Sequence, residues 1–208
     1  MNVEAVTIDA YGTLVRLRDP VPSLRLALHR RGVERTEEQV AVAFAVEVEH
    51  YVRRSHEGRD QATLARLRRE CTAVFLAAAG VSVEPESFAG DFVDSLRFEP
   101  IPDAVAACGR LRGRGLGLAV VSNWDVGLHD ALASVGLEES VDTVVTSAEV
   151  GVPKPAPEIW AVALDRLGVS PGRAVHVGDS DADAEGARAA GLAFEPAPLA
   201  TACARILA

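Results

Sequence analysis

From residue 101 onward the chain alternates short apolar runs with helical segments, and no other feature of the sequence narrows the fold as much. Residues 116–121, 143–145, 173–177 and 192–194 read as buried strands. Residues 128–135, 157–167 and 182–190 show helical spacing and stop at Gly136, Gly168 and Gly191, with a further helix over 101–114. Val3, Ala5, Val6 and Ile8 supply one more strand near the start. Strands joined through helices by short loops take right-handed crossovers and lie parallel, with both faces of the sheet covered. The predicted fold is α/β, a doubly wound parallel sheet. An alanine-rich tail, 199–208, predicts a short packing helix.

Between the first strand and residue 99 the pattern is helical throughout. Pro20 and Pro22 lead into a helix that ends near Gly32, and Thr36 with Gln39 forms a capping-box signature. Behind it Val40, Phe44, Val48 and Tyr51 make one apolar stripe. Leu64, Leu67, Cys71, Val74, Phe75 and Ala78 make another, and Phe88, Phe92, Val93 and Leu96 a fourth helix. The expected organisation is a discontinuous α/β core of residues 1–15 and 99–208, interrupted by a helical bundle over 16–98.

Composition excludes several classes of function. A net charge of −9 argues against a general nucleic-acid binder, while leaving anionic substrates open wherever a local cation reverses the field. No apolar run approaches the ~18 residues of a membrane span, and no basic leader precedes the first strand. Three scattered cysteines, Cys71, Cys108 and Cys203, read as reduced thiols. The expectation is a cytoplasmic protein with a small-molecule substrate, no nucleic acid and no membrane, its oligomeric state open.

Polar residues recur just beyond the carboxyl ends of four predicted strands: Asp9 with Thr13, Ser122 with Asn123, Lys154, and Asp179 with Asp183. In a parallel sheet these ends share one crevice. Each residue also has an ordinary reading. Ser122 serves equally as a helix cap, Lys154 as a solvated lysine, and Asp179 with Asp183 as acids favoured at a helix N-terminus. His176, inside a predicted strand, reads as a satisfied core histidine, and Trp160 as core or cleft edge. Trp124 reads as cleft wall or packing, and the arginines 53, 54, 66, 68 and 69 mostly as a solvated face.

Taken together, Asp9-Ala10-Tyr11-Gly12-Thr13, Val121-Ser122-Asn123, residues 152–157 around Lys154, and 177–183 with Asp179 and Asp183 resemble the motifs of the haloacid dehalogenase (HAD) superfamily. The resemblance implies a HAD-like, Rossmann-type core with a helical cap inserted after the first motif, the cap choosing the substrate. It implies Asp9 as nucleophile, forming a covalent aspartyl intermediate. Thr13, Ser122 and Lys154 would hold the transferring group, with Tyr11, Gly12 and Asn123 lining it. In the family's phosphatases Mg²⁺ is held by groups matching Asp9, Asp179 and the Tyr11 main-chain carbonyl, with Asp183 anchoring from behind or through water.

Two departures pull in opposite directions. Phosphatases of the family carry a second Asp, the general acid and base, where this chain has Tyr11. A phenol titrates near ~10 and is a poor replacement, so good leaving groups are expected. Asp-Ala-Tyr-Gly-Thr is instead the dehalogenase pattern, in which the aspartate displaces halide from carbon without metal. Against that, Asp9, Asp179 and Asp183 in one crevice would repel one another unless a cation intervened. No arginine occupies residues 39–42, where a dehalogenase's halide-receiving arginine is expected. The balance favours a Mg²⁺-dependent phosphatase acting on a small anionic phosphorylated metabolite. A 2-haloacid dehalogenase and a weakly active or non-catalytic binding protein are the alternatives.

Overall fold

The structure, a computed structural model, describes residues 2–208 and divides into two compact units, residues 2–16 with 98–208 and residues 17–97. In chain order the elements begin with β1 (Ala5–Ile8) and β2 (Val15–Leu17). Four helices follow: α1 (Val21–Arg30), α2 (Glu37–Arg54), α3 (Gln61–Ala78) and α4 (Pro85–Ser95). Next come β3 (Phe98–Pro100), α5 (Ala104–Gly113), β4 (Gly117–Ser122) and α6 (Leu128–Ser134). β5 (Thr143–Thr146), α7 (Ser147–Val150), α8 (Glu158–Leu167) and β6 (Ala174–Gly178) lead to α9 (Asp181–Ala189), β7 (Ala193–Pro196) and α10 (Leu199–Ile206).

The larger unit is built on a five-stranded parallel sheet in the order β5-β4-β1-β6-β7. Side chains alternate across it, so Val6, Ile8, Val120 and Val177 face one core with Leu111, Leu128 and Leu199. Ala5, Ala119, Val121 and Ala174 face another with Ile159, Trp160 and Leu164. Burial on both faces is why these strands are apolar throughout rather than alternating. Thr7 in β1 and His176 in β6 are polar and fully buried within their strands, and they are register partners in adjoining strands.

The smaller unit has its own core, in which Leu24, Leu28, Val40, Leu67, Phe75, Phe88 and Phe92 interlock. Thr36 and Gln39 close the expected reciprocal cap on α2, an arrangement worth about 1 kcal/mol. Asp60 and Thr63 do the same for α3. Arg54 pairs with Glu57 and Glu70, and Arg69 with Glu86. All three cysteines are buried, and none is in a disulfide. No described helix is long and apolar enough to cross a membrane.

The differences from the sequence reading are local. β2 and β3, three residues each, form a two-stranded sheet of their own that apolar patterning does not announce. The helix expected from 101 begins at Ala104, because Pro102 precedes it and Asp103 adopts a left-handed conformation at φ 65°. The last strand runs to Pro196 rather than stopping at Phe194.

Candidate active site

The turn after β1 sets the geometry. Asp9 follows the strand directly, and its N–H still donates to the Val177 carbonyl at 2.9 Å. The chain then doubles back, with the Ala10 carbonyl accepting from Leu14 N (2.8 Å) and Val15 N (2.9 Å). Gly12 makes this possible at φ 84°, and a Cβ there would run into the Asp179 carboxylate. Gly178 is excluded from carrying a side chain for a related reason: the Asp183 carboxyl lies directly over it. Ser180 caps α9 by a reciprocal pair with Asp183, which orients that carboxylate at the sheet's edge.

Lys154 is the centre of the cluster. Its buried ammonium lies 2.6 Å from Asp9 Oδ1 and 2.6 Å from Asp183 Oδ1, and donates to the Val121 carbonyl at 3.2 Å. Ser122 Oγ donates to Asp9 Oδ1 at 3.1 Å. Asp9, Ser122, Lys154 and Asp183 are therefore directly connected. Oxygens of Asp9, Asp179 and Asp183 all lie within 4.8 Å of one another. Asp179 is the exposed member of this trio, and the other two are buried.

Other residues named from the sequence have different surroundings. Asn123 spends both ends of its carboxamide on the Lys154 peptide, accepting from its N–H at 2.7 Å and donating to its carbonyl at 3.2 Å. Its side chain is thus engaged with the lysine loop rather than presented to a ligand. The Gly12 N–H donates to the Val15 carbonyl, so this glycine serves the turn. Thr13 Oγ1 is buried and has no protein partner. Tyr11 is 54% exposed, with its ring 6.4 Å from Trp124, which in turn packs 5.2 Å from Phe98. Trp124 and Trp160 are both core residues.

His176 is buried and satisfied, but its partner is a site residue. Nε2 lies 3.0 Å from Asp183 Oδ1, and Nδ1 lies 2.9 Å from Thr7 Oγ1. The signal in the sequence was a polar residue at the matching place in each of two otherwise apolar strands.

One ammonium shared by two buried carboxylates produces an asymmetric charge distribution. Burial pushes the Asp9 carboxyl up, opposed by Lys154 and assisted by the Asp183 charge. Burial acts on Asp183 in the same sense, but hydrogen bonds from His176, Lys154 and Ser180 outweigh it and hold that carboxyl well below the usual range. The Lys154 ammonium is held up by the two carboxylates against the effect of burial. Burial and the Asp183 charge raise Asp179. Three carboxylates and one ammonium leave two negative charges uncompensated, which fits a divalent cation. At this spacing each carboxylate pair repels by roughly 3–4 kcal/mol at an effective dielectric of 20.

A model of the haloacid dehalogenase-like hydrolases matches residues 3–191, all of the helical unit and the sheet unit as far as the start of β7. The chain belongs to this family. Among HAD relatives, it is 45% identical over 103 residues to haloacid dehalogenase-like hydrolase domain-containing protein 3 of Mus musculus, covering 49% of this chain and 41% of that one. It is 42% identical over 96 residues to glyceraldehyde 3-phosphate phosphatase of Methanopyrus kandleri, covering 45% and 41%. The chain thus spans less than half the length of these two relatives. The (S)-2-haloacid dehalogenase of Xanthobacter autotrophicus matches over 188 residues at 31% identity, 89% of this chain and 71% of the relative. A structure of the L-2-haloacid dehalogenase of that organism, with chloropropionic acid covalently bound, superposes over 92% of this chain and 76% of its own at a TM-score of 0.68 and 30% identity. HAD relatives therefore include both phosphatases and dehalogenases.

Proposed function

We propose that this HAD hydrolase is a Mg²⁺-dependent phosphatase acting on a small phosphorylated metabolite with a good leaving group, through an aspartyl-phosphate on Asp9. The observation that carries this reading is the trio Asp9, Asp179 and Asp183, with Lys154 as the one cation among the described residues paired with them. Asp9 and Asp179, with the main-chain carbonyl of Tyr11, would hold the cation, which supplies charge compensation for the phosphoryl oxygens. The buried, unpartnered Thr13 hydroxyl is a donor left for such an anion. We read residues 17–97 as the family's substrate-selecting cap.

In the first step Asp9 forms a bond to phosphorus while the bond to the ester or anhydride oxygen breaks, that oxygen leaving with the electron pair. Water then displaces the Asp9 carboxylate, freeing inorganic phosphate. Ser122 and Lys154 hold Asp9 Oδ1, and no described residue hydrogen-bonds Oδ2, which leaves that oxygen for attack. Tyr11 stands where a carboxylic acid would protonate the leaving group, so aryl and acyl phosphates are the expected substrate class over alkyl phosphates.

The second reading is a 2-haloacid dehalogenase, favoured by the Asp-Ala-Tyr-Gly-Thr stretch and the match to the Xanthobacter enzyme over most of the chain. One experiment separates the two. Phosphate release from a panel of aryl, acyl and alkyl phosphates is followed with and without Mg²⁺, beside halide release from 2-chloropropionate, with Asp9→Asn as the blank. Metal-dependent phosphate release that vanishes in a folded Asp9→Asn supports the phosphatase. Metal-independent halide release overturns it, and equal turnover of alkyl and acyl phosphates overturns the leaving-group reading.

A further inference from the structure

We propose that His176, held as its Nε2–H tautomer between Thr7 and Asp183, is a positioning residue that fixes Asp183 and, through it, Lys154 against Asp9. This rests on Asp9, Lys154 and Asp183 being the working groups, and leaves the choice between phosphate and halide open.

Asp183 has no idle acceptor. Oδ1 takes Lys154 Nζ at 2.6 Å and His176 Nε2 at 3.0 Å, while Oδ2 takes Ser180 N at 3.1 Å and Ser180 Oγ at 2.5 Å. A carboxylate bound on every side is an anchor rather than a reagent. What it anchors is the lysine, whose other contact at the same distance is Asp9 Oδ1. Ser180 lies on the exposed end of α9, so it fixes Asp183 from the solvent side only. His176 is the anchor within the sheet.

The tautomer follows from the partners. A neutral imidazole has one donor and one acceptor nitrogen. Oδ1 belongs to a carboxylate already ion-paired with Lys154, so Nε2 facing it must carry hydrogen. Nδ1 is then the acceptor, and the Thr7 hydroxyl supplies the proton at 2.9 Å. The opposite tautomer would set a nitrogen lone pair against the carboxylate at 3.0 Å. Burial of the ring in a strand, with Lys154 near, favours the neutral form, while the Asp183 contact opposes that. The Trp160 and His176 rings stand edge to face, with centroids 5.1 Å apart and planes at 88°, which restrains rotation of the imidazole. Thr7 and His176 are register partners, so the backbone pairing itself delivers the contact.

The test combines spectroscopy with kinetics. ¹⁵N spectra of histidine-labelled protein should show His176 protonated at Nε2 alone, and Thr7→Val, which removes only the partner of the acceptor Nδ1, should keep that tautomer. With p-nitrophenyl phosphate and Mg²⁺, His176→Leu should lower kcat about 10–100-fold, the usual effect of removing an outer partner of this kind, with KM little changed. His176→Gln places an amide N–H where Nε2 stood and should recover most of kcat. Protonation at Nδ1 in the parent overturns the proposal. So does a His176→Gln as slow as His176→Leu at equal thermal stability. If the parent enzyme releases halide from 2-chloropropionate and no phosphate, the functional reading falls alone, and the same kcat comparison of the two His176 variants, made on halide release, decides this one.

Discussion

Lys154 is the residue on which charge balance at the site turns. Removing one partner of a buried ionic network leaves the others uncompensated and typically costs 3–5 kcal/mol. Lys154→Met leaves Asp9 and Asp183 facing each other without their shared cation. We expect a loss of roughly 3–5 kcal/mol at pH 7.5, part of it recovered at pH 5, where the two carboxylates can share a proton. Urea unfolding at both values checks this, and an equal deficit at each would contradict it. The parent should behave in the opposite sense. The folded state holds Asp183 below its unfolded value, so its contribution is full above about pH 4 and is lost on acidification.

Elements are where most of the fold was legible. Apolar runs marked β1, β4, β5 and β6, and glycines marked several helix ends, because burial on both faces leaves strands little choice of residue. β2 and β3 left no such trace, since three residues at a chain crossing have no period to read. The site was legible as a set of strand ends, but its internal wiring was not. Asn123 turns to a peptide 31 positions away, and His176 to an acid whose side chain direction is set by the Ser180 cap. Such contacts depend on loop geometry and on which face of a strand a residue takes. The fit between β6 and α9 also makes a prediction. Gly178→Ala would drive a methyl into the Asp183 carboxyl, whereas Gly172 has nothing within 4 Å of an added Cβ. We expect Gly178→Ala to lose about 1–3 kcal/mol together with turnover, and Gly172→Ala to change neither. Thermal melts and kcat for the pair test it, and a normal kcat in Gly178→Ala would refute it.

The whole molecule holds three cores, one on each face of the sheet and one in the helical unit, and the helical one carries a pH response of its own. In the helical unit Glu47 is buried beside Cys71, and burial raises its carboxyl to about 7 against the thiol's opposing effect. The folded state therefore binds this proton more tightly than the unfolded chain. Its cost begins as pH rises past the unfolded value near ~4.3, grows up to about pH 7, and amounts to roughly 3–4 kcal/mol. Glu47→Gln should abolish this slope and be the more stable protein at pH 8, while giving no such gain at pH 5. Unfolding free energies at the two pH values decide it. The order of the strands has a consequence of another kind. β1 lies in the middle of its sheet, yet it leaves the ribosome more than a hundred residues before β4 and longer still before β6. Residues 17–97, a continuous stretch with its own core, emerge in the interval. The strand that leads to Asp9 must therefore wait unpaired while the helices behind it fold, and a nascent chain stopped before residue 174 carries Asp9 on a strand with a neighbour on one side only.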